Sequence, residues 1–242
     1  MPAEHLNSQI TLAELLAGFA EAPELAITGI ASDSRKVEPG DLFLACEGFT
    51  RHGLDFANDV VRQGAVAISF DSSTARTVPQ DLDIVLVPIA GLAAKLGEIA
   101  NRYFASPSSD VGVVGVTGTN GKSTVAWLVT QCLAHLSRKC GYSGTLGYGL
   151  NELDSDDDMT SPDVVEIHRR LAMFRDLGAV HAAMEVSSLA LDQARIAGVQ
   201  FDATLFTNLS RDHIDDHGDM RAYGDAKAKL FTDYPARVRI VN

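Results

Sequence analysis

Residues 115–124 read Gly-Val-Thr-Gly-Thr-Asn-Gly-Lys-Ser-Thr, a spacing suited to holding the phosphates of a nucleoside triphosphate. Gly118 and Gly121 permit a tight turn, so that the backbone N–H groups of Thr119, Asn120, Gly121, Lys122, Ser123 and Thr124 can converge on an anion. Lys122 is placed to reach the β- and γ-phosphates, and the Ser123 hydroxyl to ligate Mg²⁺. The general phosphate-loop pattern wants Gly six residues before the Lys. This chain has Val116 there, with glycines at 115 and 118 instead. The plainer alternative is an ordinary Gly-rich strand-to-helix turn. Gly-Lys-Ser opening a helix directly after a buried strand favours the phosphate reading.

Such a turn needs a strand to launch it and a helix to receive it. Residues 111–116 read as a short buried strand and 125–136 carry helical apolar spacing. Further on, the pattern gives a helix over 123–137, strand near 140–145, helix 163–177, strand 179–186, strand 201–207, helix 219–232 and strand 237–241. Strands separated by helices imply a parallel, doubly wound sheet with its ligand site at the carboxyl ends of the strands. Upstream, 26–31, 42–46, 65–70 and 84–87 read as strands with a helix over 54–63. The fold class is therefore α/β, with a small module over 1–88, a linker of helix 89–104 and the loop Ser106-Pro107-Ser108-Ser109 over 89–110, and a larger domain over 111–242.

Two groups fall at that carboxyl edge. Glu185 ends one apolar strand and His213 lies just past another. Ser123, Glu185 and phosphate oxygens would make an oxygen site for Mg²⁺, while a His ligand is less expected on chemistry alone. Taken singly, a Glu at a strand end or a His in a loop is usually just solvated. In the helix over 219–232, Lys227 shares the apolar stripe of Tyr223, Leu230 and Phe231, and Lys229 falls toward the polar side. An inward lysine can snorkel, burying its stem while its ammonium seeks water or a carboxylate. Alternatively its desolvated, neutral amine can take up CO₂ to give a carbamate, whose oxygens suit a metal. No Ser-His-Asp or Cys-His arrangement is legible.

Composition sets the bounds. With 242 residues and 46% hydrophobic content the chain can build one large or two ordinary cores. The start lacks a basic region followed by an apolar run, and no apolar stretch is long enough to cross a bilayer, so neither signal peptide nor membrane partner is expected and the cytoplasm is the default. A formal net charge of −12 disfavours nucleic acid. An enzyme with anionic substrates must then concentrate its few positive groups, such as Lys122, Arg195, Arg35 and Mg²⁺. Cys46, Cys132 and Cys140 lack metal-ligand spacing and read as reduced, mostly buried thiols. The acidic run 151–158 reads as a solvated loop.

The wording Thr-Gly-Thr-Asn-Gly-Lys-Ser-Thr is more specific than the general motif and resembles the ATP loop of the Mur ligases, which build the peptidoglycan stem peptide. Other segments follow that family's order. Asp33-Ser34-Arg35 with Pro39-Gly40-Asp41-Leu42-Phe43 resembles its amino-terminal nucleotide-sugar domain. Met184-Glu185-Val186-Ser187-Ser188, Leu191-Asp192-Gln193-Ala194-Arg195, the run 206–213 and His217-Gly218-Asp219 resemble the member that adds the third residue of the stem peptide.

The resemblance implies ATP-driven amide formation: the terminal carboxylate of UDP-N-acetylmuramoyl-L-alanyl-D-glutamate attacks the γ-phosphate, and the amine of an incoming amino acid displaces phosphate from the acyl phosphate. Meso-diaminopimelate and L-lysine both remain open as that amino acid. It further implies that Glu185, His213 and a carbamylated Lys227 join Ser123 in holding magnesium, and that these groups and Lys122 are the catalytic set. Ser32 and Ser34, beside Phe49-Thr50-Arg51, match positions that hold the uridine diphosphate end. Thr160, Ser161, Ser187, Gln193 and Arg195 match positions that grip the diphosphate and muramoyl portion. Without the resemblance, Thr160-Ser161-Pro162-Asp163 is simply a helix start, a compatible reading. Ser161 stands where a second Thr is usual and Leu189 where a His is common. A monomer is expected. The alternation is still running at Asn242, so an incomplete central domain, an absent amino-acid-binding domain and little ligase activity of this polypeptide alone are expected. The rivals are a folate-glutamate ligase, disfavoured by residues 27–87, and a non-catalytic phosphate-loop module.

Overall fold

In the computed structural model, which describes residues 10–48, 51–74, 82–154, 160–212 and 214–242, most of the expected strands appear close to their expected bounds, but the one expected over 26–31 splits into two short strands in separate sheets. The chain divides into two units, Met1–Tyr103 and Phe104–Asn242. In the first, β1 (Ile10–Thr11) pairs antiparallel with β2 (Ala26–Ile27). Between them lies α1 (Leu12–Leu16), a helix the apolar pattern did not reveal although its capping box, Thr11 with Glu14, is written in the sequence. The strands β3 (Gly29–Ala31), β4 (Asp41–Ala45), β5 (Ala67–Asp71) and β6 (Val85–Ile89) form a parallel sheet in that order. A 3₁₀ turn, Gly53–Phe56, leads into α2 (Ala57–Gln63).

The helix expected to act as a linker is α3 (Leu92–Tyr103), and it belongs to the first unit. Its end is tied there: Arg102 Nη1 donates to the carbonyls of Leu15 at 2.7 Å and Ala17 at 2.8 Å, and the Tyr103 hydroxyl to Thr28 O at 2.7 Å. The Ser-Pro-Ser-Ser segment is also more ordered than a loop. Pro107 opens the single turn α4 (Pro107–Asp110), because a proline at the first helical position gives up an N–H that would have no partner there.

The second unit continues with β7 (Gly112–Thr117), α5 (Lys122–His135), β8 (Cys140–Gly144), β9 (Gly147–Gly149) and β10 (Leu153–Asp154). It then runs α6 (Val164–Asp176), β11 (His181–Glu185), α7 (Ser188–Asp192), β12 (Phe201–Phe206), α8 (Ile214–His217), α9 (Met220–Thr232) and β13 (Ala236–Val241). The sheet order is β10-β9-β8-β11-β7-β12-β13. From β8 to β13 the pairing is parallel, as expected, while β9 and β10 fold back antiparallel on one edge. β11 and β12 flank β7 on opposite sides, so the turn after β7 opens where the winding direction switches, the usual crevice of a doubly wound sheet.

Both faces of this sheet are covered. Phe174, Leu171 and Ile167 of α6 pack with Val113, Met184 and Phe201, and on the other side Ala126 packs with Val116, Tyr142 and Ala183. The departure from the phosphate-loop pattern has its reason here. Val116 is wholly buried core, whereas a Cβ at residue 115 would come within 2.7 Å of the Phe201 ring. Asp163 caps α6 by accepting from the N–H groups of Val165 at 2.9 Å and Glu166 at 3.1 Å. Asp163→Ala is expected to cost about 1 kcal/mol; an unchanged urea midpoint would show that the cap contributes nothing. Among the described residues no helix is long and apolar enough to cross a membrane.

All three cysteines are free, but they are not mostly buried. Cys140 is buried, Cys46 half-buried and Cys132 exposed on α5. Burial pushes the Cys46 thiol up to about 12, which keeps it protonated and unreactive.

Candidate functional site

The turn between β7 and α5 has the backbone its sequence demands. Gly118 has φ +144 and Gly121 has φ +81, conformations that side chains rarely adopt. At Gly118 a Cβ would also stand 1.9 Å from Thr207 Oγ1. Gly121 is the N-cap of α5, and no side chain caps it. The 14-residue helix therefore presents its first-turn N–H groups, with no acidic residue in that turn, toward the crevice.

The segment after β12 laces this turn from the outside. Thr119 N–H donates to Asn208 O at 2.9 Å, and Asn120 N–H to Asn208 Oδ1 at 3.1 Å. Asn208 Nδ2 and Thr207 Oγ1 donate back to Asn120 O at 2.9 Å and 2.6 Å. Ser210 N–H reaches Thr119 Oγ1 at 3.0 Å. Thr207 and Asn208 were not among the expected site residues. Their role depends on β12 lying beside β7, which local sequence does not announce.

Glu185 sits at the end of β11, 1% exposed, with its carboxylate facing the turn. Oε1 accepts from the Tyr142 hydroxyl at 2.6 Å and Thr145 N–H at 2.8 Å, while Oε2 accepts from Ser123 Oγ at 2.9 Å. Thr145 Oγ1 stands 3.3 Å from Oε2 and 3.0 Å from Thr160 Oγ1. Burial, then its bond to Glu185, pushes the Tyr142 phenol upward and keeps it a donor. Tyr142 in the middle of β8 and Thr145 just past its end complete a seat that sequence reasoning missed. The alternation of elements placed a strand near 140–145 without saying which partner it faces.

Two lysines meet at one carbonyl. Lys122 Nζ donates to Gly118 O and Thr119 O, both at 3.1 Å, and Lys227 Nζ donates to Gly118 O at 2.9 Å. Lys227 is 2% exposed, its Nζ 4.3 Å from the centre of the Tyr223 ring. The inward stripe on α9 is thus as expected, but the ammonium bonds to a buried carbonyl instead of snorkelling to water. Burial, and secondarily the Lys122 charge, lower the Lys227 pKa to about 8. Lys122 is also lowered by burial, against the attraction of Glu185 and Asp212. Lys229, toward the polar side as expected, pairs with Asp192 at 2.6 Å.

The expected precursor residues of the second unit gather beside Glu185. Ser161 Oγ donates to Glu185 O at 3.1 Å and accepts from Ser187 N–H at 3.2 Å. Arg195 donates from Nη1 to Ser161 O at 2.7 Å and from Nε to Gln193 Oε1 at 2.8 Å. Ser187 Oγ caps α7 by accepting from Ala190 N–H. In the first unit, Ser32 and Ser34 adjoin Asp33, whose carboxyl the Arg35 hydrogen bond holds below the usual carboxylate range. Arg51 stacks on Phe56 with its guanidinium carbon 4.4 Å from the ring centre. His213, Phe49 and Thr50 lie outside the described residues. So does half of the acidic run, 155–158, while Leu153 and Asp154 of that run form strand β10 and not a solvated loop.

One arrangement contradicts the sequence reading. Ser188, His217 and Asp192 do stand in hydrogen-bond order: Ser188 Oγ is 2.9 Å from His217 Nε2, and His217 Nδ1 is 3.1 Å from Asp192 Oδ2. The helix turn that brings Ser188 and Asp192 to one face, four residues apart, is invisible until α7 is seen. Ser188 is 4% exposed, too buried for a substrate carbonyl to reach its hydroxyl.

Comparison with known proteins decides the family. Residues 116–242 match the Mur ligase middle domain, and residues 26–104 match the Mur ligase family, catalytic domain. The chain belongs to the Mur ligase family. Among curated Mur ligases, the UDP-N-acetylmuramoyl-L-alanyl-D-glutamate--2,6-diaminopimelate ligase of Xanthomonas campestris pv. campestris (strain 8004) is 45% identical over 237 residues, which are 98% of this chain and 48% of that protein. The protein of the same name from Ectopseudomonas mendocina (strain ymp) is 46% identical over 216 residues, 89% of this chain and 44% of that one. A solved structure of a ligase with this name superposes with TM-score 0.80 at 27% identity, covering 97% of this chain and 47% of the other. The UDP-N-acetylmuramoylalanyl-D-glutamyl-2,6-diaminopimelate--D-alanyl-D-alanyl ligase from Acinetobacter baumannii shares the fold, with TM-score 0.62 at 22% identity over 92% of this chain and 45% of that one. The chain thus spans about half the length of the Mur ligases it matches.

Proposed function

We propose that this chain carries the ATP- and precursor-binding part of a ligase that adds 2,6-diaminopimelate to UDP-N-acetylmuramoyl-L-alanyl-D-glutamate. The names borne by relatives at 45% and 46% identity support the choice of amino acid. The single observation that carries the chemistry is the meeting of Ser123 Oγ with the buried Glu185 carboxylate at the mouth of an uncapped helix, beside Lys122 and Lys227.

The donor set fits Mg²⁺. Ser123 Oγ and Glu185 Oε2 are hard oxygens 2.9 Å apart, the separation of neighbouring vertices in an octahedron with bonds of about 2.1 Å. His213 and a carbamate on Lys227 are added from the family resemblance. Bound there, Mg²⁺ would neutralise phosphate charge. The helix N-terminus and Lys122 hold the β- and γ-phosphates, and Lys122 exchanges its two carbonyl partners for phosphate oxygens. Arg195, Gln193, Ser187, Ser161 and Thr160 hold the diphosphate and muramoyl portion, so that the glutamate carboxylate arrives beside the γ-phosphate. Ser32, Ser34, Phe49, Thr50 and Arg51 hold the uridine end. Positioning and charge neutralisation then do most of the catalysis, since phosphoryl transfer needs no protein nucleophile. The acyl phosphate that results is the species the diaminopimelate amine attacks.

Titration with ATP and Mg²⁺, and separately with UDP-N-acetylmuramoyl-L-alanyl-D-glutamate, tests this reading; binding of ATP without the precursor would reduce the chain to a nucleotide-binding module. Arg195→Ala is expected to weaken the precursor about 10- to 100-fold, the equivalent of one charge-assisted hydrogen-bond group, and to leave ATP affinity unchanged. If both affinities fall together, Arg195 is a structural residue.

A further inference from the structure

His217 opens the motif His-Gly-Asp, to which the proposed function gives no task, and it ends α8. Its side chain is 4% exposed. Nδ1 lies 3.1 Å from Asp192 Oδ2 and Nε2 lies 2.9 Å from Ser188 Oγ. Asp192 can only accept, so in the neutral ring Nδ1 carries the proton and Nε2 accepts from the Ser188 hydroxyl.

Those two partners are the first and last residues of α7, a helix of five residues. So short a helix does not hold itself, because the nucleation cost exceeds what one turn of hydrogen bonds returns. Tertiary contacts must fix it, and one imidazole pins both of its ends. The residues flanking α7 are Ser187 on one side and Gln193 and Arg195 on the other. Between the latter two, Ala194 holds φ +51, a strained conformation that persists where its surroundings over-determine it. Lys229 of α9 supplies a second hold on Asp192 at 2.6 Å.

We infer that His217 is a positioning residue for the precursor: by clamping both ends of α7 it sets the separation and direction of Ser187, Gln193 and Arg195. The inference rests on the precursor-binding role proposed above. Unclamped, α7 frays, the guanidinium samples several directions, and precursor affinity falls while the nucleotide turn, built on β7, α5 and β12, keeps its shape.

The test is a binding series on the full 242-residue chain, with UDP-N-acetylmuramoyl-L-alanyl-D-glutamate and Mg²⁺-ATP as separate ligands. His217→Phe keeps a ring and removes both hydrogen bonds; it should lower precursor affinity about tenfold and change ATP affinity less than about twofold. His217→Gln returns a hydrogen-bonding amide near the position of Nε2, within reach of Ser188, and should restore part of the loss. In an Arg195→Ala background His217→Phe should cost less than about twofold, because residues that act through one another are not additive. Should His217→Phe fail to fold, Lys229→Met, at a half-exposed position, loosens Asp192 from the other side and should show the same selectivity at about threefold. Equal loss of both ligands, an unchanged precursor affinity, or the full cost persisting without Arg195 would overturn the clamp. A wild-type chain that binds no precursor would instead sink the proposed function, and the clamp with it.

Discussion

Lys122→Ala is expected to lower ATP affinity by about 10- to 100-fold without changing the circular dichroism of the chain, each charge-assisted hydrogen bond being worth about 1.5–3 kcal/mol. The fold should tolerate the change because Lys122 contributes two bonds to carbonyls of its own turn and little core. Gly118 O keeps Lys227 as a donor, so that carbonyl is not orphaned. A second readout follows from the shared carbonyl. The Lys122 charge helps depress the Lys227 pKa, so its removal should move the Lys227 titration back toward the ordinary lysine value. Retained ATP affinity in a folded variant would overturn the phosphate assignment of this turn.

Lys227→Met should raise stability at neutral pH by on the order of 2 kcal/mol in bicarbonate-free buffer, and the gain should vanish in alkali. The folded-state pKa of Lys227 is lowered from 10.5 to about 8. Between those values the unfolded chain binds a proton that the folded chain has released, so wild-type stability rises with pH across that window. Below about 8 the cost of burying the ammonium is fully present; above 10.5 it is gone. Methionine removes the cost at every pH, and Lys122 still donates to Gly118 O. Urea unfolding at pH 7 and near pH 10.5 checks the sign: a variant less stable at pH 7, with the wild-type pH slope intact, would show that the ammonium stabilises the fold. With bicarbonate present, intact mass should show an added carboxylate on the wild-type chain and none on the Met variant. An unmodified wild-type chain under those conditions would remove the carbamate from the proposal.

Much of this protein is legible from local sequence, because local rules decide it. Gly118, Gly121, Lys122 and Ser123 make a turn whose conformation only glycine allows at two places, and a helix must follow. The parallel strands of the second unit alternate with helices, and their bounds fell within a few residues of those expected. The inward position of Lys227 follows from helical spacing alone. The Mur ligase resemblance, too, rests on order and wording along the chain.

What surrounds those groups was decided by the tertiary structure. That Lys227 ends on Gly118 O, 109 positions away, depends on α9 packing against β7. Tyr142 and Thr145 seat Glu185 because β8 pairs with β11, and Thr207 and Asn208 lace the turn because β12 pairs with β7. No short-range pattern specifies which strand lies beside which, since the pairing is chosen by the packing of the whole sheet. The same holds for Ser188, His217 and Asp192. Two of them are brought to one face by a five-residue helix too short to leave a periodic signal, and the third is delivered by a turn whose path the sheet fixes. The sequence by itself determined the chemistry at the centre of the site, through residue types whose backbone needs are local. Only the fold determined the partners that hold those residues in place, through contacts between segments far apart in the chain.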